Sequence, residues 1–333
     1  MPLKGISRMT GKNADWLHKG SCQCPGKAAI PVIGIGGSLF DTFFMVDRFP
    51  DEDSKIRATE TWSQCGGPVA TAMAAVSHLG TPSAFAGSMG SDPPGQAMID
   101  DLKIYGVTNE GIKIRSGCQS ASSMILVNKE RATRTIIWSP GNAASLHPDE
   151  LPRSLLDQAR VLHVDGLQTE AAQAAARHFR SAGKIVSMDA GSFHPGYEQL
   201  LALTDWLICA ESFVLRQTGA ANAEEAVRKI FRQYHPVVAA ATQGSSGGIW
   251  TVDGSSVFRY QPFPVSAVDT TGAGDVFHGA VLYARLLGWD WPRVFTFASA
   301  AAALKCTRPG GRAGMPTRTE VDAFLHAQQG AGL

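Results

Sequence analysis

The chain has 333 residues, of which 44% are hydrophobic and 18% charged, so it can bury a sizeable core and is not a disordered protein. Thirty Lys and Arg balance 29 Asp and Glu, which leaves a net charge of +1 and no basic excess for binding nucleic acid. No apolar run reaches the length of about 18 residues that a membrane helix needs, which argues against membrane insertion.

The six cysteines indicate a reduced, cytoplasmic protein. Cys22 and Cys24 stand too close for a zinc knuckle, and the other four are scattered singly. Residues 1–29 are polar and basic without the apolar core of a secretory signal, and we interpret them as a tail ahead of the first strand.

In the first part of the chain, apolar periodicity predicts strands at 30–35 and 83–86 and helices at 68–79 and 95–105. Loosely alternating residues predict further strands at 42–64 and 112–138. The second of these segments contains a hairpin formed by 122–128 and 133–138. After residue 140 the pattern predicts strands at 161–164, 185–189, 206–209 and 237–241, helices at 170–181 and 223–234, a hairpin over 249–260, and helices at 273–287, 291–305 and 318–328.

Strands that alternate with helices at this spacing predict a three-layer α/β/α domain with a mostly parallel central sheet. The segments 42–64 and 112–138 interrupt that alternation. We therefore predict one domain over 30–333, with these two segments forming a small β-sheet that projects as a lid.

The segment Asp269-Thr-Thr-Gly-Ala-Gly-Asp275 precedes a predicted helix and is the most informative motif. Glycines at a helix start expose backbone N–H groups, and the helix dipole adds partial positive charge, so the turn can bind a phosphate. An acidic residue in such a turn either caps the helix or acts as a general base toward an attacking hydroxyl. Asp275 is the candidate for both roles.

Residues 269–275 match the C-terminal signature of the ribokinase-like (pfkB) carbohydrate kinases, a family that the chain resembles from Ile30 onward. The resemblance implies an ATP-dependent sugar kinase in which Gly272, Ala273 and Gly274 form the anion hole and Asp275 is the catalytic base. It also implies Mg²⁺ with ATP, and K⁺ near Asp269 and the 307–313 loop, where some members use it to shape the anion hole.

The same resemblance assigns the two substrate sites. On the sugar side it implies Asp41, Gly66, Gly67 and Asp165, with Lys55 on the predicted lid as a cation for an anionic acceptor. On the nucleotide side it implies Thr242, Gly244, Gly247 and Ser299.

The sequence departs from the family pattern at two places. Thr71 stands where the N-terminal signature has Asn, and Ala210 and Phe213 replace both defining residues of the NxxE motif that orders magnesium. Glu211 is the remaining candidate for a magnesium-ordering residue.

The acceptor is left open by the sequence. Segments 66–71, 268–280 and 304–313 resemble the bacterial sulfofructose kinase branch, but they lie mostly on the ATP side, and a neutral ketose or related sugar is favoured. The alternatives are a nucleoside or sugar-phosphate kinase of the same fold, and a catalytically idle sugar-binding regulator.

Two other nucleotide-binding motifs are excluded. Gly34-x-Gly36 lacks the third glycine of a dinucleotide site, and the sequence contains no Walker motif.

The lid strands lack helices of their own, so one apolar face needs cover. Related kinases often pair two lids, and we expect a homodimer in which each lid covers the partner's sugar site. The candidate side chains for that face are Phe43, Phe44, Trp62, Ile125, Val127 and Ile137.

Three histidines lie in apolar stretches: His78, His163 and His278. We interpret them as buried histidines rather than metal ligands.

Overall fold

The structure is a computed structural model that describes residues 29–131 and 133–330. In chain order its strands are β1 Val32–Ile35, β2 Leu39–Val46, β3 Glu60–Gly66, β4 Ser83–Gly90, β5 Thr108–Arg115, β6 Ser122–Asn128, β7 Thr133–Ser139, β8 Val161–Val164, β9 Ile185–Ala190, β10 Trp206–Ala210, β11 Val238–Thr242, β12 Gly248–Thr251 and β13 Phe258–Tyr260. Its helices are α1 Pro68–His78, α2 Pro93–Ile104, α3 Arg153–Gln158, α4 Thr169–Ser181, α5 Tyr197–Leu203, α6 Glu211–Thr218, α7 Ala223–Tyr234, α8 Ala273–Leu286, α9 Trp291–Cys306 and α10 Arg318–Gly330. The predicted N-terminal tail, except for Ala29, lies outside the described residues, as do Cys22 and Cys24.

Nine strands form one large sheet in the order β13-β12-β11-β10-β9-β8-β1-β4-β5. Neighbouring strands from β11 to β5 are parallel, whereas β12 and β13 run antiparallel at one edge. The predicted mostly parallel sheet is therefore confirmed.

The large sheet lies between two helical layers. Helices α1, α2, α8, α9 and α10 pack on one face, and α3 to α7 pack on the other. Along β10, Trp206 and Ile208 face the first layer while Leu207 and Cys209 face the second, because successive side chains of a strand point to opposite faces. A strand covered on both faces is apolar throughout, which explains the short unbroken apolar runs in the sequence. Within the described part, no helix combines the length and apolar character needed to cross a bilayer.

The second sheet has the strand order β3-β2-β6-β7. Strand β2 is parallel to β6, whereas the β2–β3 and β6–β7 pairs are antiparallel. The register places Asp41 of β2 beside Gln64 of β3 and Ser123 of β6. Side chains paired in register share a face, so these three polar groups lie together.

The second segment of the small sheet begins at Ser122 and not at residue 112. Residues 108–115 form β5, which pairs in parallel with β4 at the edge of the large sheet. In the sequence of β5, Ile112, Lys113, Ile114 and Arg115 alternate between apolar and charged residues, just as those of a lid strand would. Alternation alone could not tell the two sheets apart.

Candidate active site

One edge of the large sheet carries residues from both predicted halves of the site. Asp165 follows β8, Asp189 lies near the end of β9, Glu211 follows β10, and Thr242 ends β11. The carboxyl ends of parallel strands meet at one edge, where open α/β sheets bind their ligands. The order of the strands therefore lines these side chains up along a single crevice.

The predicted anion hole forms the start of α8. Gly272 precedes the helix with φ 75°, a left-handed conformation that favours glycine. A Cβ at Gly272 would come within 3.2 Å of Gly311 Cα, whereas nothing lies within 4 Å of a Cβ at Gly274. The first turn is thus open at Gly274, and its N–H groups and the helix dipole can bind an anion.

Asp269 fixes the segment that leads into this turn. Its carboxylate accepts hydrogen bonds from Thr271 N at 2.8 Å and Gly310 N at 2.9 Å. Its own N–H donates to Cys306 O at 3.1 Å, and Lys305 Nζ donates to its carbonyl oxygen at 2.7 Å. The turn is therefore anchored to the end of α9 and to the loop that follows it.

Asp275 lies half-buried in the first turn of α8. Burial, and secondly the charge of Asp189, raise the pKa of Asp275 to about 7. The residue at the start of the helix is Gly272, and no side chain caps it, so the capping role considered for Asp275 is not what the structure shows. A carboxyl group with this pKa changes protonation near neutral pH, as a general base should.

A buried polar chain lies behind Asp275. His278 Nε2 is 3.2 Å from Asp189 Oδ1, and the ring of His278 lies 5.5 Å from the ring of His163. His163 Nδ1 is in turn 3.2 Å from Ser187 Oγ. Burial, followed by His278, lowers the pKa of His163 to about 3, so this ring is neutral. Burial acts to raise the pKa of Asp189, but His278 and His163 outweigh it and lower that pKa, so Asp189 is an anion beside the base.

Asp41 is held in place on the small sheet. Ser123 Oγ donates a hydrogen bond to Asp41 Oδ1, and a Cβ at Gly66 would lie only 2.8 Å from Asp41 Oδ2. Burial raises the pKa of Asp41, while the Ser123 hydrogen bond and the Arg312 charge act in the opposite direction. Gln64, its neighbour in register, accepts a hydrogen bond from Gly311 N at 2.8 Å. The lid strand β3 thus contacts the loop that packs on the anion hole.

The predicted sugar-side residues Gly67 and Asp165 have structural positions. Gly67 has φ 99°, and a Cβ there would lie 2.5 Å from Gly37 O. The carboxylate of Asp165 is 5% exposed and accepts hydrogen bonds from Gly37 N at 2.8 Å, Leu167 N at 2.9 Å and Val69 N at 3.4 Å. Burial raises the pKa of Asp165 to about 6. Backbone N–H groups of three chain segments donate to the Asp165 carboxylate, so Asp165 positions these segments, and its contact with a sugar stays a prediction.

Arg312 joins the C-terminal loop to the start of α1. The side chain is 3% exposed, and Nη2 donates to Gly66 O at 2.7 Å while Nε donates to Thr71 Oγ1 at 3.1 Å. Nη1 is hydrogen-bonded to Asp101. Thr71, which departs from the family pattern, is therefore part of a buried polar contact.

The predicted nucleotide loop lies where β11 turns into β12. Thr242 Oγ1 donates to Cys209 O at 3.4 Å, and Gly244 and Gly247 have φ of 55° and 80°. A Cβ at Gly247 would lie 2.3 Å from Tyr260 O, so only glycine fits there. Ser299 is different: it is buried in α9 and its hydroxyl donates to Gln261 O at 3.0 Å, which leaves it inside the protein.

With this geometry in view, the model of the pfkB family carbohydrate kinases matches residues 29–318 of the chain. The chain belongs to this family.

Relatives span almost the whole chain. An ATP-dependent ribose-1-phosphate kinase of Halopiger xanaduensis is 30% identical over 299 residues, which cover 89% of this chain and 98% of that protein. The protein named Probable fructokinase-4 of Arabidopsis thaliana is 27% identical over 286 residues, covering 78% of this chain and 87% of its own length. The crystal structure of a ribokinase from Thermotoga maritima, 26% identical, covers 89% of this chain and 99% of its own with a TM-score of 0.79. This pfkB chain is thus an ATP-dependent carbohydrate kinase with the ribokinase-like fold.

Two further predicted polar residues of this pfkB kinase are Glu211 and Lys55. Glu211 begins α6, and its Oε1 accepts a hydrogen bond from Gln243 Nε2 at 2.7 Å. Lys55 is exposed in the segment that joins β2 to β3.

Several residues that lie at the candidate site were not predicted from the sequence. Asp189 had a usable signal, because an acidic residue at the carboxyl end of a predicted parallel strand faces the ligand edge. Lys305, a lone cation in the apolar stretch 297–306, had another. Gln64 and Ser123 had none, since only the register of the small sheet places them beside Asp41.

Proposed function

We propose that this kinase transfers the γ-phosphoryl group of ATP to a hydroxyl of a small neutral sugar, a ketose or a related monosaccharide. The observation that carries the proposal is the position of Asp275. Its carboxyl group, with a pKa raised to about 7, lies in the open first turn of α8, directly beside N–H groups that can bind a phosphate.

In this proposal Asp275 accepts the proton of the sugar hydroxyl as its oxygen attacks the γ-phosphorus. The new O–P bond forms while the bond to ADP breaks. The N–H groups of Gly272 and Gly274 contact the oxygens of the group in transfer and stabilise their charge, whereas Ala273 N donates to Thr270 O at 3.2 Å and shapes the turn. The lid covers the sugar and excludes water, which would otherwise accept the phosphoryl group.

Magnesium bound with ATP would neutralise the phosphate charges. Glu211 fits that ion, because the Gln243 hydrogen bond engages Oε1 and holds the carboxylate beside the end of β10. Mg²⁺ usually keeps several waters and takes only one or two protein carboxylates, so one correctly placed acid suffices.

The polar groups around Asp41 support a neutral acceptor. Ser123 and Gln64 flank it in register, and a carboxylate there can accept two sugar hydroxyls. The N–H groups of the nearby Arg312 are already bonded to Gly66, Thr71 and Asp101. Lys55 is exposed, so the buried part of this pocket offers no uncommitted cation among these residues.

A sugar phosphate is the second candidate, because the 30% identical Halopiger protein is named a ribose-1-phosphate kinase. A sulfofructose acceptor rests on segments 268–280 and 304–313, which belong to α8, α9 and the loops beside the anion hole. For either anionic acceptor, Lys55 is the candidate cation.

We further propose a cytoplasmic homodimer. The described cysteines Cys65, Cys118, Cys209 and Cys306 are free thiols, which supports a reducing compartment.

Of the apolar residues expected at the dimer face, Phe43 and Ile125 are buried within the protomer. Ile136 and Trp138 lie on the same face and are 53% and 55% exposed, whereas Ile137 points to the opposite face. We place the contact at Ile136 and Trp138, on the face that also carries Asp41.

The experiment is a coupled ADP-release assay with Mg-ATP and a panel of neutral ketoses and aldoses, sugar phosphates, sulfofructose and nucleosides, with the product located by ³¹P NMR. We expect the highest kcat/KM for a neutral sugar. If the enzyme prefers a sugar phosphate and Lys55→Ala abolishes that preference, the sugar phosphate replaces the neutral sugar as the proposed acceptor. Turnover limited to nucleosides would reject both acceptors.

A further inference from the structure

Lys305 is a fully buried lysine beside the anion hole. It lies in the last turn of α9 and its side chain is 0% exposed, although lysines are almost never buried in this way without a partner. Its Nζ donates to the main-chain carbonyl of Asp269 at 2.7 Å and lies 4.0 Å from Asp269 Oδ2. The lysine thus places a cation on the residue that opens the segment 269–275.

The ammonium completes a closed set of contacts around Asp269. The carboxylate of Asp269 holds Thr271 N and Gly310 N, and its N–H is bonded to Cys306 O. Backbone hydrogen bonds lower the pKa of Asp269 against the opposing effect of burial, so this carboxylate is an anion that Lys305 faces. Together these contacts fix the turn at Gly272 against the loop at Gly311.

These contacts do not fit the potassium ion that the sequence led us to expect near Asp269. A monovalent cation bound at Asp269 would compete for its carbonyl oxygen, which already accepts a hydrogen bond from the Lys305 ammonium. Two cations a few ångströms apart repel each other strongly in a buried site. K⁺ therefore has no role in the mechanism proposed for this kinase.

We propose that the Lys305 ammonium acts as a built-in monovalent cation, which shapes the anion hole and makes this kinase independent of K⁺. Lys305 is a positioning residue, because it acts through Asp269 and touches neither substrate nor the reacting atoms. The inference rests on the proposed use of the Gly272–Gly274 turn in phosphate binding.

The first test uses the unmodified protein in chloride salts of K⁺, Na⁺, Li⁺ and N-methylglucamine at constant ionic strength. We expect kcat and the KM for ATP to agree within about twofold across the series. We also expect the thermal unfolding midpoint to be the same in all four salts, both in the absence and in the presence of Mg-ADP. A several-fold rise of kcat in K⁺, or a K⁺-specific rise of the midpoint, would overturn the proposal.

The second test uses Lys305→Met, which removes the charge but keeps most of the volume. We expect it to lose turnover by tenfold or more, about 1.4 kcal/mol in transition-state stabilisation, and to recover part of it in K⁺ but not in Li⁺. Its unfolding midpoint should also rise in K⁺ relative to N-methylglucamine, a readout that needs no turnover. Lys305→Gln, which keeps an N–H donor, serves if the Met variant does not fold.

The matched control is Lys184→Met. Lys184 also donates to two main-chain carbonyls, Leu156 O at 2.9 Å and Asp157 O at 2.7 Å, but it precedes β9 at the opposite end of that strand from Asp189 and lies over the Phe179 ring in the other helical layer. This variant should show no cation dependence. Full turnover of Lys305→Met without K⁺, or a loss that no cation reverses, would refute the built-in cation. A wild type that phosphorylates no sugar would instead reject the proposed function, and the unfolding series would still test Lys305.

Discussion

His278 Nε2 lies 3.2 Å from Asp189 Oδ1. Helix α8 therefore carries both Asp275 and the histidine that contacts Asp189. His278 is one helical turn beyond Asp275, and it holds Asp189 at the end of β9. The charge of Asp189 is the second cause, after burial, of the raised pKa of Asp275. The residue that His278 contacts therefore influences how readily the proposed base takes up a proton.

The first prediction is the pH profile. A general base must be ionised, so with a pKa of about 7 for Asp275 we expect kcat/KM to rise with pH through neutrality and to fall about tenfold per unit well below it. Asp189→Asn removes a negative charge, which favours ionisation, so the midpoint should move to lower pH by about half a unit or more. The measurement is kcat/KM for the sugar between pH 5 and 9.

The control for the pH profile is Asp157→Asn. Asp157 lies 3.1 Å from His178, a similar pair on the surface of the opposite helical layer. It should leave the midpoint unchanged. A midpoint that stays put in Asp189→Asn would show that burial alone sets the pKa of Asp275.

The second prediction concerns Asp275→Asn. The amide keeps the shape but cannot accept the proton as a carboxylate does, so turnover should fall by about two to four orders of magnitude. ATP binding, measured by calorimetry, should be retained because the N–H groups of the turn are unchanged. Asp290→Asn, at the aspartate that caps α9, is the matched control and should leave turnover near that of the wild type. Turnover of Asp275→Asn within threefold of wild type would exclude the role of base.

The third prediction concerns the acceptor. Asp41→Ala removes the carboxylate that Ser123 holds on the small sheet, so the KM for the sugar should rise at least tenfold while the KM for ATP stays near normal. Thr42→Ala changes the adjacent residue on the opposite face and should alter neither constant. A change confined to the KM for ATP would mean that the two substrate sites are reversed.

The fourth prediction concerns assembly. If Ile136 and Trp138 cover the partner's sugar site, sedimentation velocity at micromolar concentration should report twice the monomer mass. Ile136→Glu with Trp138→Glu should give monomers, whereas Ile104→Glu, at an 80% exposed residue of α2, should remain dimeric. A monomeric wild type with full activity would reject the shared site and return these side chains to a cleft wall within one protomer.

The sequence was sufficient for the large sheet because β10 and its neighbours are apolar on both faces, a pattern with few alternatives. It failed at β5, because an edge strand and a lid strand alternate alike. Short helices were missed as well: α3 and α5 have only six and seven residues, too few for a periodic pattern.

The candidate site divides in the same way. The turn at Gly272 was predictable because its glycines and acid are contiguous in the chain. The contacts of Lys305 with Asp269 and of Gln64 with Gly311 join segments 36 and 247 residues apart, and no local pattern encodes them. The positions of Asp165 and Ser299 also depended on depth in the fold, which a motif does not report.

The hydrogen bond from Gly311 N to Gln64 Oε1 connects the lid to the phosphate end of the crevice. Gln64 lies beside Asp41 in register, and Gly311 packs against Gly272. A sugar that orders strand β3 would therefore also order the loop that packs against the anion hole. By reciprocity, we expect ATP and the sugar to strengthen each other's binding by the same factor.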